Sequence, residues 1–259
     1  MKRYRFSLIV LLCCTCLACN DFLTEYSHDQ AYVQSYSDLD ELIIGSGYMK
    51  CAGTYDYTYY STAKETYYPY VHFMADETEV RNTGTYDYYG ESFLKMFYGF
   101  YTWQKDVDKD HEGTVGWTEN QDWINLYKHI NITNIILSQI DNQTIQTEND
   151  QRNVNRIKGE AHFLRGAYYF VLANLYGKPY SSISAKTDLA VPIKLTENIE
   201  DKVYTRATVE KTYEQVLEDL LTAEKHLKGQ SRKSVTRAGH TATCLLLSRV
   251  YLYMQNYTE

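Results

Sequence analysis

The chain has little of three things, and each shortage excludes something. Cysteine is the first: of six, Cys13, Cys14, Cys16 and Cys19 crowd the N-terminus, which leaves only Cys51 and Cys244. One disulfide could join that pair, but no cysteine-rich staple and no zinc spacing is present. Cys244 lies inside a helical apolar pattern and is expected to be a plain core residue. Positive charge is the second. Lys2, Arg3 and Arg5 belong to a segment read below as removed; without them 23 basic residues face 33 acidic ones, a net charge of −10 with His neutral. A nucleic-acid partner needs a basic footprint and is excluded. Catalytic motifs are the third. The seven His show neither His-x-x-x-His nor Cys-His ligand spacing, and no Gly-x-Ser-x-Gly elbow or phosphate loop occurs. Asp76, Glu77 and Glu79 could supply a glycosidase's paired carboxylates, yet acids this close in sequence read as a solvated turn. Asp106, Asp108 and Asp110 begin like a calcium loop, but His111 replaces its Gly and Trp117 its bidentate Glu. No enzyme, metal or cofactor is expected.

The N-terminus has the form of an export signal. Lys2, Arg3 and Arg5 precede an apolar run from Phe6 to Leu17, too short to span a bilayer. The run ends at Leu17-Ala18-Cys19, where small Ala18 suits a lipoprotein signal peptidase and Cys19 is the expected acylated residue. Cys16 stands where a lipobox prefers Leu, and the alternative is an ordinary secreted protein. Residues 1–18 are read as the signal peptide and 19–259 as the mature chain. Several acyl chains would anchor it firmly, since one binds only marginally and two suffice.

Helical periodicity dominates the second half. Val154, Ile157, Ala161, Leu164, Tyr168, Leu172 and Leu175 recur every three or four residues, predicting one long amphipathic helix. Gly159 and Gly166, seven apart on one side, predict close approach of a second helix. Gly177 is expected to supply a left-handed cap, with Pro179 preventing continuation. Trp123, Leu126, Tyr127, Ile130, Leu137 and Ile140 mark a preceding helix. Thr208 should cap a third, with Val209, Tyr213, Val216, Leu220 and Leu227 on one side, and Thr236 a fourth, with Ala238, Ala242, Leu245 and Leu252. Ser37 and Asp38, followed by Asp40 and Glu41, look like capping-box starts to a short helix through Leu39, Leu42 and Ile43. The result is a mainly α fold of two antiparallel hairpins, 122–177 and 208–257, of tetratricopeptide-like form.

Glu160-Ala161-x-Phe163-Leu164-Arg165-Gly166-Ala167-Tyr168-Tyr169, followed by Leu175-Tyr176-Gly177-x-Pro179, closely resembles the signature helix of the SusD/RagB family. Tyr127, Ile130, Thr133, Asn134, Ile136 and Leu137 extend the likeness, as do Val191-Pro192-Ile193, Arg206, Tyr213, Asp219-Leu220 and Ser248-Arg249-Val250-Tyr251-Leu252. Members are outer-membrane lipoproteins of Bacteroidota that capture nutrients, mostly glycans, for a SusC-like TonB-dependent transporter. Members also run to roughly twice this length. The last helix, with Leu245, Leu246, Leu247, Tyr251 and Tyr253, has apolar residues around most of its circumference, where a solenoid normally ends on a polar cap. The chain is therefore expected to be the N-terminal half of a SusD-like protein.

Residues 51–120 differ in kind. Many of the 27 Tyr crowd here with Phe93, Phe97, Phe100 and Trp103, helical period is lost, and Gly, Asn, Thr and Asp break the run into loops. Rigid rings with polar tips suit the apolar faces and hydroxyl rims of sugars, although most such rings pack loops onto helices. In the family an arc of aromatics with a few polar groups forms the glycan site. The resemblance implies Trp103 as the first stacking residue, Tyr101 beside it, and Arg81 and Asn82 as hydroxyl partners. The function implied is non-catalytic binding of an oligosaccharide and its delivery to the transporter; the alternative is a surface scaffold whose helical groove binds protein.

Overall fold

The computed structural model describes residues 33–49, 99, 102–105 and 121–258, the side chains of 121 and 122 excepted. Cys19, Cys51, Arg81, Asn82, Tyr101, the acids of 76–79 and the aspartates of 106–110 lie outside the described residues. Those from Ser35 onward belong to one compact unit. Five α-helices are described: α1 (Tyr36–Leu42), α2 (Gln121–Ile140), α3 (Glu148–Tyr176), α4 (Val209–Leu227) and α5 (His240–Tyr253). α1 runs into a π-helical turn, Ile43–Gly47. The described residues contain no sheet; one antiparallel bridge joins Leu189 to Thr208. No described helix is long and apolar enough to cross a membrane.

α3 is the spine. Thr147 caps it, accepting the Asp150 N–H at 3.1 Å while the Asp150 carboxylate accepts the Thr147 N–H at 2.9 Å. Val154, Ile157, Ala161, Leu164, Tyr168 and Leu172 are buried as the period predicts, whereas Leu175 is partly exposed. Burying side chains of this size stabilises by roughly 1.5–3 kcal/mol each. α3 packs on α2 and, more extensively, on α4. The two glycines mark the α4 contact: a Cβ on Gly159 would lie 2.6 Å from Leu227 Cγ, and one on Gly166 3.1 Å from Leu220 Cγ.

Four local expectations are corrected. Gly177 ends α3 in extended geometry, φ −92° and ψ 171°, not left-handed. Glycine is needed there because a Cβ would meet the Ala173 carbonyl at 2.5 Å and Ala190 at 3.2 Å. α1 starts one turn earlier than expected, with Ser35 as cap and the Asp38 carboxylate accepting the Ser35 N–H at 2.9 Å. α5 is capped by Gly239, not Thr236. Residues 234–237 instead form a turn, Arg237 N–H to Ser234 O at 3.2 Å, which sends the Arg237 side chain into the interior. Finally, α5 buries Thr243, Leu247 and Val250, while Ala242, Leu245 and Leu252 face solvent and Cys244 is only half-buried. The core face of α5 is thus rotated from the expected one.

Candidate functional site

Trp103 has two unusual properties at once. Its backbone is left-handed, φ 54°, and its side chain is 66% exposed. A bulky residue at positive φ costs on the order of 1–3 kcal/mol, and such strain concentrates at functional sites. Gln104 N–H donates to Gly99 O at 2.8 Å, which holds the neighbouring backbone. A large indole face is therefore presented to water from a constrained turn.

A second aromatic feature lies where α2, the end of α3 and the connector meet. Trp123 stands edge-on to Tyr176, centroids 5.0 Å apart, and 4.9 Å from Tyr127. Trp123, Ile124, Tyr176, Ala190 and Arg206 line an open groove of about 450 Å³. Arg206 fixes one wall: Nε donates to Ala190 O at 2.7 Å, and Nη2 to Tyr176 O and Leu189 O at 3.0 Å each. It thereby satisfies the Tyr176 carbonyl at the α3 C-terminus, where a cation is favoured, and two carbonyls of the connector. Tyr127 OH donates to Pro192 O at 2.6 Å. In sequence Trp123 and Tyr127 show only as an apolar stripe, and the groove is not legible there, because its far wall comes from Ala190 and Arg206 in the distant connector.

Two buried acids, Glu160 of α3 and Asp219 of α4, are committed to cations. Asp219, 1% exposed, accepts from Arg165 Nη2 at 2.7 Å, Arg165 Nε at 3.0 Å, Gln215 Nε2 at 3.2 Å and contacts His162 Nδ1 at 2.8 Å. Burial raises its pKa, but the His162 and Arg165 hydrogen bonds outweigh that and hold it below the ordinary carboxylate range. Arg165 Nη1 continues to Asn134 Oδ1 at 3.0 Å, and Asn134 Nδ2 donates to Lys194 O at 3.0 Å. One arginine thus joins α2, α3, α4 and the connector.

A second cluster binds α1 to α3 and to the turn before α5. Glu160 accepts from Arg156 at 2.7 Å, Arg237 at 2.8 Å and Tyr48 OH at 2.8 Å. Asp40 meets Arg237 at 2.6 Å and Arg156 and Lys233 at 3.0 Å. Burial pushes Asp40 up; the hydrogen bonds from Arg237, Arg156 and Lys233 prevail and hold it well below the ordinary range. Burial and the Glu160 charge keep the Tyr48 phenol protonated far above its usual pKa. These acids act as structural counter-charges. Elsewhere, Glu224, His240 and Cys244 bring donor atoms within 4.8 Å of one another, which corrects the expectation of no Cys-His ligand spacing.

Of the four expected binding residues, Trp103 is the one among the described residues, and it is exposed. A SusD-like family model, described as starch-binding associating with outer membrane, matches residues 60–252. A SusD superfamily protein from Bacteroides thetaiotaomicron superimposes with a TM-score of 0.60 at 26% identity, over 86% of this chain and 43% of its own. A SusD-like carbohydrate binding protein from Bacteroides vulgatus gives 0.60 at 20% identity, over 85% and 42%. A SusD superfamily protein from Bacteroides fragilis gives 0.59 at 24% identity, over 86% and 47%. No curated protein matches the chain. The chain spans less than half the length of these three structures, with the same mainly helical fold. By its family-model match the chain belongs to the SusD-like family of outer-membrane-associated proteins.

Proposed function

We propose that this chain is part of a surface lipoprotein, acylated at Cys19, that binds oligosaccharide without cleaving it and passes it to a SusC-like TonB-dependent transporter. Trp103 supplies the stacking face, with Tyr101 alongside and Arg81 and Asn82 bonding to sugar hydroxyls. The observation that carries this reading is the exposed indole held at positive φ in a family described as starch-binding. A ring that only packed a loop onto the helices would be covered. The carbohydrate binding named for the B. vulgatus relative points the same way.

Calorimetric titration of the chain with a panel of neutral oligosaccharides tests the reading. One or more should bind saturably in the millimolar range, near −4 kcal/mol, with the glycan recovered at its original length. Absence of saturable binding across the panel, or shortening of the glycan, overturns it.

A further inference from the structure

We propose that Glu224, His240 and Cys244 form a site for a divalent cation of the zinc class, clasping α4 to α5. His240 is the first residue of α5 and Cys244 follows one turn later, so both side chains lie on one helix face. Glu224 sits in the last turn of α4 and meets them across the hairpin. All three are half-buried, which leaves their donor atoms within reach of a solvent ion.

Three donor groups meet around the His240 ring. Glu224 Oε1 lies 2.7 Å from His240 Nε2, and Cys244 Sγ lies 3.8 Å from the same nitrogen and 4.0 Å from Nδ1. A donor atom from each residue lies within 4.8 Å of the others, a spacing that one shared ion can bridge. Tetrahedral zinc, with bonds of about 2.3 Å to sulfur and about 2.0 Å to nitrogen, sets a sulfur to nitrogen separation of about 3.5 Å, a few tenths of an ångström below the 3.8 Å found. The carboxylate, now hydrogen-bonded to the ring, has only to open by about 0.6 Å to reach a tetrahedral separation, within the freedom of a Glu side chain.

Donor chemistry selects the ion. A thiolate and an imidazole favour zinc and its neighbours over calcium and magnesium, which take oxygen. The Cys244 thiol is not in a disulfide; on binding, its sulfur bonds the metal and the proton goes to solvent. Thiolate and carboxylate then balance the two positive charges, with water as fourth ligand. Lys228 Nζ stands 3.9 Å from Glu224 Oε1 and competes with the ion for that oxygen.

Cobalt(II) titration of the full chain under a non-chelating reductant tests the site. The expected result is a sulfur-to-cobalt charge-transfer band that saturates at one equivalent and is discharged by zinc. Cys244→Ser should abolish it, and His240→Ala and Glu224→Gln should weaken binding at least tenfold. Lys228→Ala should bind as tightly as the parent or tighter. Glu224→Gln alters a half-exposed side chain, so it serves as the folding-neutral variant, checked by helical circular dichroism. Zinc should raise the melting temperature of the parent and leave that of Cys244→Ser unmoved. No band in the parent, or a band of equal intensity in Cys244→Ser or of equal affinity in a folded Glu224→Gln, overturns the proposal.

Discussion

Arg165 grips Asp219 with two nitrogens, Nε to Oδ2 at 3.0 Å and Nη2 to Oδ1 at 2.7 Å, and so ties α3 to α4 across a buried interface. Replacing Arg165 with Leu leaves the Asp219 charge buried with its chief counter-ion gone, and should destabilise the fold by about 3–5 kcal/mol. Arg165→Leu combined with Asp219→Leu should recover much of that loss, because both desolvation costs then disappear. Urea melts of the three proteins check this; a single variant within 1 kcal/mol of the parent would contradict the structural role.

Acid should unfold the protein early. Asp219 and Asp40 have pKa values lowered by folding. A depressed carboxylate contributes stability above its unfolded value, about 3.9, and loses it as pH falls toward the folded one. His129 and His226 are also lowered, burial being the main cause. Their contribution is present above about pH 6.5 and declines below it. The melting temperature should therefore sag below pH 6.5 and drop steeply below pH 4. A flat profile from pH 7 to 3 would contradict it.

The two spine glycines should separate. Gly159→Ala gains up to about 1 kcal/mol of helix propensity but drives its methyl into Leu227 Cγ at 2.6 Å, where overpacking costs about 1–3 kcal/mol. Net destabilisation is expected. Gly166→Ala, at 3.1 Å from Leu220, should cost less. Gly45→Ala meets nothing within 4 Å and should be neutral or slightly stabilising. Chemical denaturation ranks the three, and a Gly159→Ala more stable than the parent would refute the packing.

What could be read from the chain depended on range. The stripe from Val154 to Leu172 and the Thr208 cap are local patterns, and the helices follow them. Gly159 and Gly166 announced a neighbour because an unfavourable residue repeated at helical spacing. By contrast, the space for a side chain at Gly177 is closed partly by Ala190, thirteen positions on, and no local rule contains that contact. Gly239 displaces Thr236 as cap for a similar reason: Arg237 is drawn to Asp40 and Glu160, which are remote in sequence. At the candidate site, composition suggested aromatic faces, but the left-handed backbone of Trp103 leaves no trace in composition. The apolar neighbours of Cys244 point to a core position, whereas its i−4 partner His240 is the local signal of the cluster.

In the proposed lipoprotein, membrane attachment rests on Cys19. Cys19→Ala should leave the protein unlipidated and released from the membrane fraction, since no other acyl anchor is expected. Detergent partitioning of the two forms checks it, and a variant that still partitions with detergent would overturn the lipoprotein reading.

The most direct test of the glycan-binding account is Trp103→Ala, measured for affinity and for thermal stability in the same preparation. Removing an exposed ring at a strained backbone position should weaken binding of the best oligosaccharide at least fivefold, about 1 kcal/mol for one lost stacking face. The melting temperature should stay within a degree or two, because the lost ring faces solvent and Ala keeps the Cβ on which the left-handed strain depends. A melting temperature lowered sharply with affinity unchanged would make Trp103 a packing residue and contradict the account.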